Sequence, residues 1–276
     1  MSRTSTAALI GAATLGGSTI ALLGAREVLR RQAAQARRRI GKPLGEDALD
    51  ADRVWRPRLD GRPLDLLMLG DSIAAGLGAE RRKDTPGARI AKGLARRTQR
   101  PVRLRTAAVV GSESSALAAQ LASLPDDYRA DVAVIIVGGN DVTHRIPVSR
   151  AAAHLSQTVA ALRRGGTAVV VGTCPDLGAL RPVPQPLRTL GSRLSRQLAH
   201  AQALAARAEG AHVVSLGRVV GPFFISQPDE MFSLDRFHPS ATGYRRTADA
   251  LLPAVVGALS ARRGLTDVGG AGWVDG

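Results

Sequence analysis

The stretch "LDLLMLGDSIAAGLG", residues 64–78, is where the fold can be read most directly. Its first six residues are apolar except for Asp65, which is typical of a strand buried on both faces. Gly70 permits a sharp exit from that strand. Ser72 then starts the next segment, where free backbone N–H groups favour a developing anion. The serine is a candidate nucleophile if the rest of the chain supplies a base and oxyanion donors.

Apolar runs that alternate with helical patterns continue from this stretch to residue 260. The runs predict strands at 64–69, 102–110, 132–137, 167–172 and 212–216. Helical patterns cover 86–98, 114–123, 149–164, 187–209 and 243–260. Strands that are apolar on both faces and alternate with helices predict a three-layer α/β/α sandwich around a five-stranded parallel sheet. The proline-rich segment 174–186 is irregular and is a candidate lid or pocket wall.

Polar residues follow three of these strands, and a fourth polar group lies near the end of the chain. Residues 70–72 follow the first strand, Gly111 follows the second, and residues 138–141 follow the third. Asp235 and His238 lie in the late segment "LDRFHPSATGY". Because ligands of open α/β sheets bind at the carboxyl ends of the strands, these groups can converge on one edge.

These four blocks resemble those of the SGNH hydrolases, also called GDSL esterases. "GDSIAAGLG" is similar to the family's first block, "VVGSES" to the second, "GGND" to the third and "DRFHPSATGY" to the last. The resemblance covers residues 64–255 and implies a flavodoxin-like hydrolase fold. The second block departs from the pattern, because residues 106–108 are Thr-Ala-Ala where the family commonly has Asn-Ala-Gly.

The resemblance implies a role for each motif residue, and elementary chemistry is consistent with those roles. Ser72 would be the nucleophile, His238 its general base, and Asp235 the group that orients the imidazole. The family pattern implies an oxyanion hole formed by the N–H groups of Ser72 and Gly111 and the side-chain amide of Asn140. No organic cofactor or metal is needed, since Asp235 and His238 have no further ligand cluster nearby.

The amino-acid composition bears on which binding partners the protein could have. The chain has 276 residues, a formal charge of +15 and 38 basic residues, of which three are lysine. Such a charge suits nucleic acid or anionic lipid, but the 3 % aromatic content and the lack of a recognition motif argue against nucleic acid. Cys174 is the sole cysteine, so no internal disulfide can form. The few aromatic residues suggest an acyl pocket of Leu, Val and Ala, although Phe223, Phe224 and Phe232 are candidates for core or pocket.

The N-terminal segment is consistent with three roles: a membrane anchor, a cleaved signal peptide or a surface helix. Residues 7–24 are uncharged and would span about 27 Å as a helix, which is marginal for a bilayer. Arginines follow this stretch, so an anchor would place the domain in the cytoplasm, whereas a cleaved signal would export it. A surface helix is the third reading. The chain thus divides into an apolar and basic segment (1–40), a linker (41–63), the hydrolase domain (64–262) and a disordered tail (263–276).

The expected function is a serine esterase that hydrolyses lipid-like or short-to-medium acyl esters through an acyl-enzyme. Two alternatives remain at this point. The same residues would serve an acyltransferase in which an alcohol replaces water, and an inactive, membrane-tethered binding module would keep the same fold.

Overall fold

The computed structural model describes residues 23–268, and side chains up to residue 262. The apolar stretch 7–24 lies outside the described residues except for its last two positions, and so does the end of the predicted tail, 269–276. Among the described residues, no helix combines the length and hydropathy needed to cross a bilayer.

A six-stranded sheet forms the centre of the domain, with strand order β1-β3-β2-β4-β5-β6. The strands are β1 (Val54–Trp55), β2 (Leu64–Gly70), β3 (Val102–Thr106), β4 (Val132–Ile136), β5 (Ala168–Gly172) and β6 (His212–Val214). All neighbours pair in parallel except β1 and β3, which are antiparallel. The five predicted strands are thus confirmed, with one short edge strand added.

Helices cover both faces of this sheet. They are α1 (23–40), α2 (Ser72–Ala75), α3 (Pro86–Thr98), α4 (Leu117–Ala122), α5 (Gly139–Thr143), α6 (Val148–Arg164), α7 (Leu187–Ala208), α8 (Leu216–Val219), α9 (Gly221–Ser226), α10 (Pro228–Met231) and α11 (Ala241–Val268). Helices α3 and α11 pack on one face, and α4, α6 and α7 on the other.

Alternation along β2 explains why both faces are apolar. Leu66 and Met68 point into the core beneath α3 and α11, whereas Leu67 and Leu69 point into the core beneath α4 and α6. All seven residues of β2 are buried. Because successive side chains point to opposite faces, a strand covered on both sides is apolar along most of its length. In β2 the exception is Asp65, which pairs with Arg103. The predicted three-layer α/β/α sandwich is confirmed.

The main differences from the sequence prediction lie at β3, in the predicted linker and at the end of α11. Strand β3 ends at Thr106 rather than residue 110, because the chain then turns into the loop that carries Gly111. The predicted linker contains β1, and the carboxylate of Asp52 accepts a hydrogen bond from the N–H of Thr106, which ties this segment to β3. Helix α11 continues to Val268, into the segment that we expected to be disordered.

Candidate active site

Ser72 lies at the first position of α2, directly beyond the end of β2. Asp71 caps this helix, and its carboxylate accepts a hydrogen bond from the N–H of Ile73. Gly70 has φ +131°, and a Cβ at this position would lie 1.8 Å from the carbonyl oxygen of Ile136. Only glycine fits there, so packing against β4 fixes the path of the chain into Ser72. Ser72 itself is buried, with 6 % of its surface exposed.

Gln120 of α4 holds the same turn from the other side. Its buried side-chain amide accepts a hydrogen bond from the N–H of Gly70 (2.9 Å) and donates one to the carbonyl of Gly70 (2.7 Å). The amide nitrogen also lies 3.2 Å from the hydroxyl of Ser112. One side chain therefore links the turn before Ser72 to the loop that contains Gly111. Gln120 was not among the predicted site residues.

His238 and Asp235 lie in a tight loop that brings their side chains to Ser72. One carboxylate oxygen of Asp235 accepts hydrogen bonds from the backbone N–H groups of Phe237 and His238, both at 2.9 Å. Its other oxygen is 2.6 Å from Nδ1 of His238. Nε2 of His238 is 2.9 Å from Oγ of Ser72. The three predicted side chains thus form one continuous hydrogen-bonded chain.

The pKa values of two buried carboxylates at this site, Asp235 and Asp71, shift in opposite directions. Burial opposes ionisation of Asp235, but the hydrogen bonds from the His238 ring and from two N–H groups outweigh it, so its pKa lies below the usual value. Burial raises the pKa of Asp71 to about 6, and the bond from the N–H of Ile73 offsets only part of that effect. Asp235 is therefore suited to face an imidazolium as an anion.

Candidate oxyanion donors come from three separate segments. Among residues 23–268, the backbone N–H groups of Ser72 and Gly111 donate to no protein acceptor. Gly111 has φ +81° and is exposed. Nδ2 of Asn140 donates to the carbonyl of Ser112 at 2.9 Å, which leaves its second hydrogen available. Each segment can therefore offer one donor.

Side chains of α5 brace the Gly111 loop. The carboxylate of Asp141 accepts hydrogen bonds from both the N–H and the hydroxyl of Ser114 at 3.0 to 3.1 Å. Glu113 and Nδ1 of His144 form an exposed contact of 2.7 Å. Burial raises the pKa of Asp141, and its bonds with Ser114 oppose that rise. Asp71 and Asp141 thus brace the loops of the site through hydrogen bonds.

Helix α11 contacts the segment that follows the nucleophile. Tyr244 of α11 is fully buried, and its hydroxyl donates to the carbonyl oxygen of Leu77 at 2.6 Å. Leu77 follows α2 directly, so this bond fixes the segment after the nucleophile to the C-terminal helix.

Two cavities open from this cluster, and they differ in size and chemistry. The first, here called the small cavity, has a volume of about 70 Å³ and is lined by Ser72, Ile73, Leu180, Leu216, Val220, Phe224, Phe232 and Phe237, among others. The second, here called the wide groove, has a volume of about 1350 Å³ and is bordered by Gly111, His238 and one side of α1. Asn140, Leu177, Leu180 and Phe237 line both, so the cavities meet there.

Comparison with known proteins agrees with this geometry. The profile of the GDSL-like Lipase/Acylhydrolase family matches residues 68–246. A GDSL-like esterase of Mycobacterium tuberculosis is 40 % identical over 273 residues, covering 94 % of this chain and 86 % of that protein. The chain belongs to the GDSL-like lipase/acylhydrolase family.

Solved structures share the fold of this GDSL-like hydrolase at lower identity. The lipase/acylhydrolase from Enterococcus faecalis is 20 % identical with a TM-score of 0.58, over 70 % of this chain and 96 % of that one. A catalytic mutant of an acetylxylan esterase from Geobacillus stearothermophilus is 18 % identical with a TM-score of 0.56, over 71 % and 95 %. These neighbours support the assigned fold.

The structure of this GDSL-like hydrolase places all five predicted site residues at the carboxyl edge of the sheet. Phe224 and Phe232 line the small cavity together with Phe237, so the predicted pocket of Leu, Val and Ala is also aromatic. The proline-rich segment forms part of its wall, as predicted. Among residues 23–262, no three His, Cys, Asp or Glu side chains are grouped closely enough to hold a metal ion.

Two features of the site were missed for different reasons. Gln120 lies on the same buried helix face as Leu117, and a polar residue at a core position was the only signal in the sequence. The contribution of α1 to the wide groove had no signal, because it depends on contacts between segments more than 100 residues apart. The N–H of Leu187 donates to the side chain of Gln32, and Arg39 reaches the carbonyl of Pro182.

Proposed function

We propose that this hydrolase is a serine esterase that cleaves short-chain acyl esters through an acyl-enzyme on Ser72. The observation that carries the proposal is the hydrogen-bonded chain from Ser72 Oγ through His238 to Asp235, at 2.9 and 2.6 Å. A neutral hydroxyl is a weak nucleophile, and a base within hydrogen-bond reach activates it.

The first half-reaction follows from this geometry. Oγ of Ser72 attacks the acyl carbon while Nε2 of His238 takes the hydroxyl proton. Asp235 accepts a hydrogen bond from Nδ1–H, so it selects the required tautomer and stabilises the imidazolium. The donors on Ser72, Gly111 and Asn140 receive the negative charge on the carbonyl oxygen. His238 then protonates the leaving alcohol as the acyl-enzyme forms.

In the second half-reaction, water hydrolyses the acyl-enzyme, and His238 again acts first as base and then as acid. His238 deprotonates a water molecule, which attacks the acyl-enzyme. The second tetrahedral intermediate collapses, the carboxylic acid leaves, and the proton returns to Ser72. The net reaction consumes one ester and one water and releases one acid and one alcohol.

The small cavity favours a short acyl group. Most of its lining residues are apolar, which suits an alkyl chain rather than a sugar or a headgroup. Its volume of about 70 Å³ leaves room for only a short chain. We therefore expect chains near four carbons to fit best and chains of ten carbons to exceed the cavity.

The test is hydrolysis of p-nitrophenyl esters from acetate to decanoate by wild type, Ser72→Ala and Ser260→Ala. Ser260 is exposed on α11, so its loss should leave the rates unchanged. We expect Ser72→Ala to lower kcat by at least about 10⁴-fold and wild-type kcat/KM to fall about tenfold or more between butanoate and decanoate. Retained activity in Ser72→Ala would refute the nucleophile assignment, and a maximum at decanoate would refute the chain-length proposal.

We further propose that residues 7–24 attach the domain to a membrane, with the domain on the cytoplasmic side. The support is the uncharged stretch followed by arginines at 26, 30, 31 and 37–39. Cell fractionation with protease access to a C-terminal tag checks this. A tag released to the medium would point to export instead.

A further inference from the structure

The position of His238 between the two cavities suggests which part of an ester each cavity holds. Ser72 lines the small cavity, whereas His238 lines the wide groove. In the proposed reaction, His238 delivers the proton to the leaving oxygen, so the alcohol must lie on the His238 side. The acyl chain then occupies the small cavity and the alcohol occupies the wide groove.

The wide groove has a strongly cationic rim. The basic residues along it are Arg26, Arg30, Arg37, Lys42, Arg145 and Arg188. Two carboxylates line it, and both are already engaged: Glu46 pairs with Lys42, and Asp235 pairs with His238. Within residues 23–262, none of the five arginines is paired with a carboxylate. Arginine donors arranged around a cleft attract anions and bind oxyanions in a bidentate manner.

Two of these arginines lie on elements that also build the active site. Arg145 follows α5, the helix that carries Asn140, and has φ +61°. Arg188 is half-buried in the first turn of α7, after the proline-rich segment that lines both cavities. The cationic rim is therefore continuous with the catalytic edge rather than a separate surface patch.

The interior of the groove is mostly apolar. Aliphatic side chains from α6, α7 and the loop before α6 line it, namely Ile146, Val148, Leu187, Leu190, Leu194 and Leu198. A small inorganic anion would make no favourable contacts with such an apolar surface. An alcohol that carries an apolar segment and an anionic group would be complementary to both parts of the groove.

We infer that the wide groove binds the alcohol portion of the substrate and selects esters whose alcohol bears an anionic group, such as a phosphate, sulfonate or carboxylate, beside an apolar segment. This inference rests on the proposed esterase function, because it uses His238 as the proton donor. It assigns α1 and Arg145 to substrate selection, a role that the family motifs do not include.

The test compares two chromogenic butanoate esters that differ in the charge of the leaving group. One is p-nitrophenyl butanoate, and the other is 4-butanoyloxy-3-nitrobenzenesulfonate. For each enzyme, the ratio of kcat/KM values, anionic over neutral ester, is divided by the ratio of their hydroxide-catalysed rates. We expect a corrected ratio of about tenfold or more at low ionic strength. It should fall towards one in 1 M salt, where the screening length is about 3 Å.

Charge-removing variants locate the effect. Arg145→Gln and Arg188→Gln should each lower the corrected ratio by about two- to fivefold, and the double variant should lower it further. The matched control is Arg164→Gln, an exposed arginine at the far end of α6 that does not line the groove. Arg30→Gln and Arg37→Gln test the α1 wall in the same way.

The outcomes separate failure of this inference from failure of the proposed function. If Ser72→Ala hydrolyses the neutral ester like wild type, the esterase mechanism fails. If hydrolysis depends on Ser72 but the corrected ratio is near one and insensitive to salt, only the groove inference fails. It also fails if Arg145→Gln and Arg188→Gln match Arg164→Gln, or if these arginines affect binding to anionic vesicles but not the ratio for soluble esters.

Discussion

Ser72 and Gly111 follow neighbouring strands, yet the chain holds them in different ways. The turn before Ser72 is packed so tightly against β4 that a single methyl group at Gly70 would collide with a carbonyl oxygen. Gly111 lies five residues beyond β3, and a Cβ there would meet no atom within 4 Å. Close backbone packing together with two hydrogen bonds from Gln120 thus fixes the turn before the nucleophile. The donor loop has open space at Gly111 and is held by side-chain hydrogen bonds from Gln120, Asn140 and Asp141.

Apart from the loss of Ser72 itself, the largest decrease in kcat that we expect is at Asp235, which orients the base of the nucleophile. Asp235→Asn should keep the shape of the loop but stabilise the wrong tautomer of His238, and kcat should fall by about 10⁴-fold. Asp229→Asn, at an exposed position on the nearby helix α10, is the matched control. Steady-state kinetics on p-nitrophenyl butanoate check this, and a loss below tenfold would contradict the orienting role.

Gly70→Ala tests the packing directly. The added methyl group must displace the backbone of either β2 or β4, so we expect a loss of about 4 kcal/mol or more in the free energy of unfolding. Denaturant unfolding followed by circular dichroism measures it. A loss no larger than that of Gly111→Ala would show that the two loops are equally adaptable.

Asn140→Ala tests the side-chain donor of the proposed oxyanion hole. Removal of one oxyanion donor should lower kcat by about 10²- to 10³-fold, with a much smaller change in KM, because the interaction strengthens in the transition state. The thermal midpoint should stay within a few degrees of wild type. Loss of kcat together with loss of folded protein would instead indicate that Asn140 mainly holds the Ser112 loop.

The protonation of Asp71 gives a prediction on pH. Its folded-state pKa of about 6 lies above the ordinary value of 3.8, so the folded state binds this proton more tightly than the unfolded state. The associated stability is present below pH 4 and is lost as the pH rises through 6, by on the order of 2 to 3 kcal/mol. Relative to wild type, Asp71→Asn should therefore gain stability from pH 4 to pH 7. Denaturant unfolding at both pH values checks this, and a constant difference would contradict the raised pKa.

Gly111→Ala should have the smallest effect. A left-handed backbone at a residue with a Cβ costs roughly 1 to 2 kcal/mol, while the space around it is open and the N–H donor is kept. We expect a fall in kcat of less than about tenfold, measured on p-nitrophenyl butanoate. A fall comparable to that of Asn140→Ala would mean that the exposed loop is positioned as strictly as the nucleophile.

The contrast between the two loops also explains which parts of the structure were predictable from sequence. Strand β2 begins at Leu64 as predicted, because a strand buried on both faces leaves an unbroken apolar run. The same rule extended β3 wrongly to residue 110, since Ala107, Ala108, Val109 and Val110 are apolar but serve the donor loop. The site residues were predictable because their motifs are local. The hold of Gln120 on Gly70 and the wall formed by α1 depend on tertiary contacts that leave little or no local pattern.

The buried hydroxyl of Tyr244 has a consequence for the order in which the enzyme becomes active. Ser72 leaves the ribosome 166 residues ahead of His238, and the bond that secures the segment behind Ser72 comes from a helix made later still. Domains fold largely as units once their sequence is available. A nascent chain thus carries its serine for most of its synthesis without a base to activate it, and we expect ester cleavage to begin only after α11 has docked.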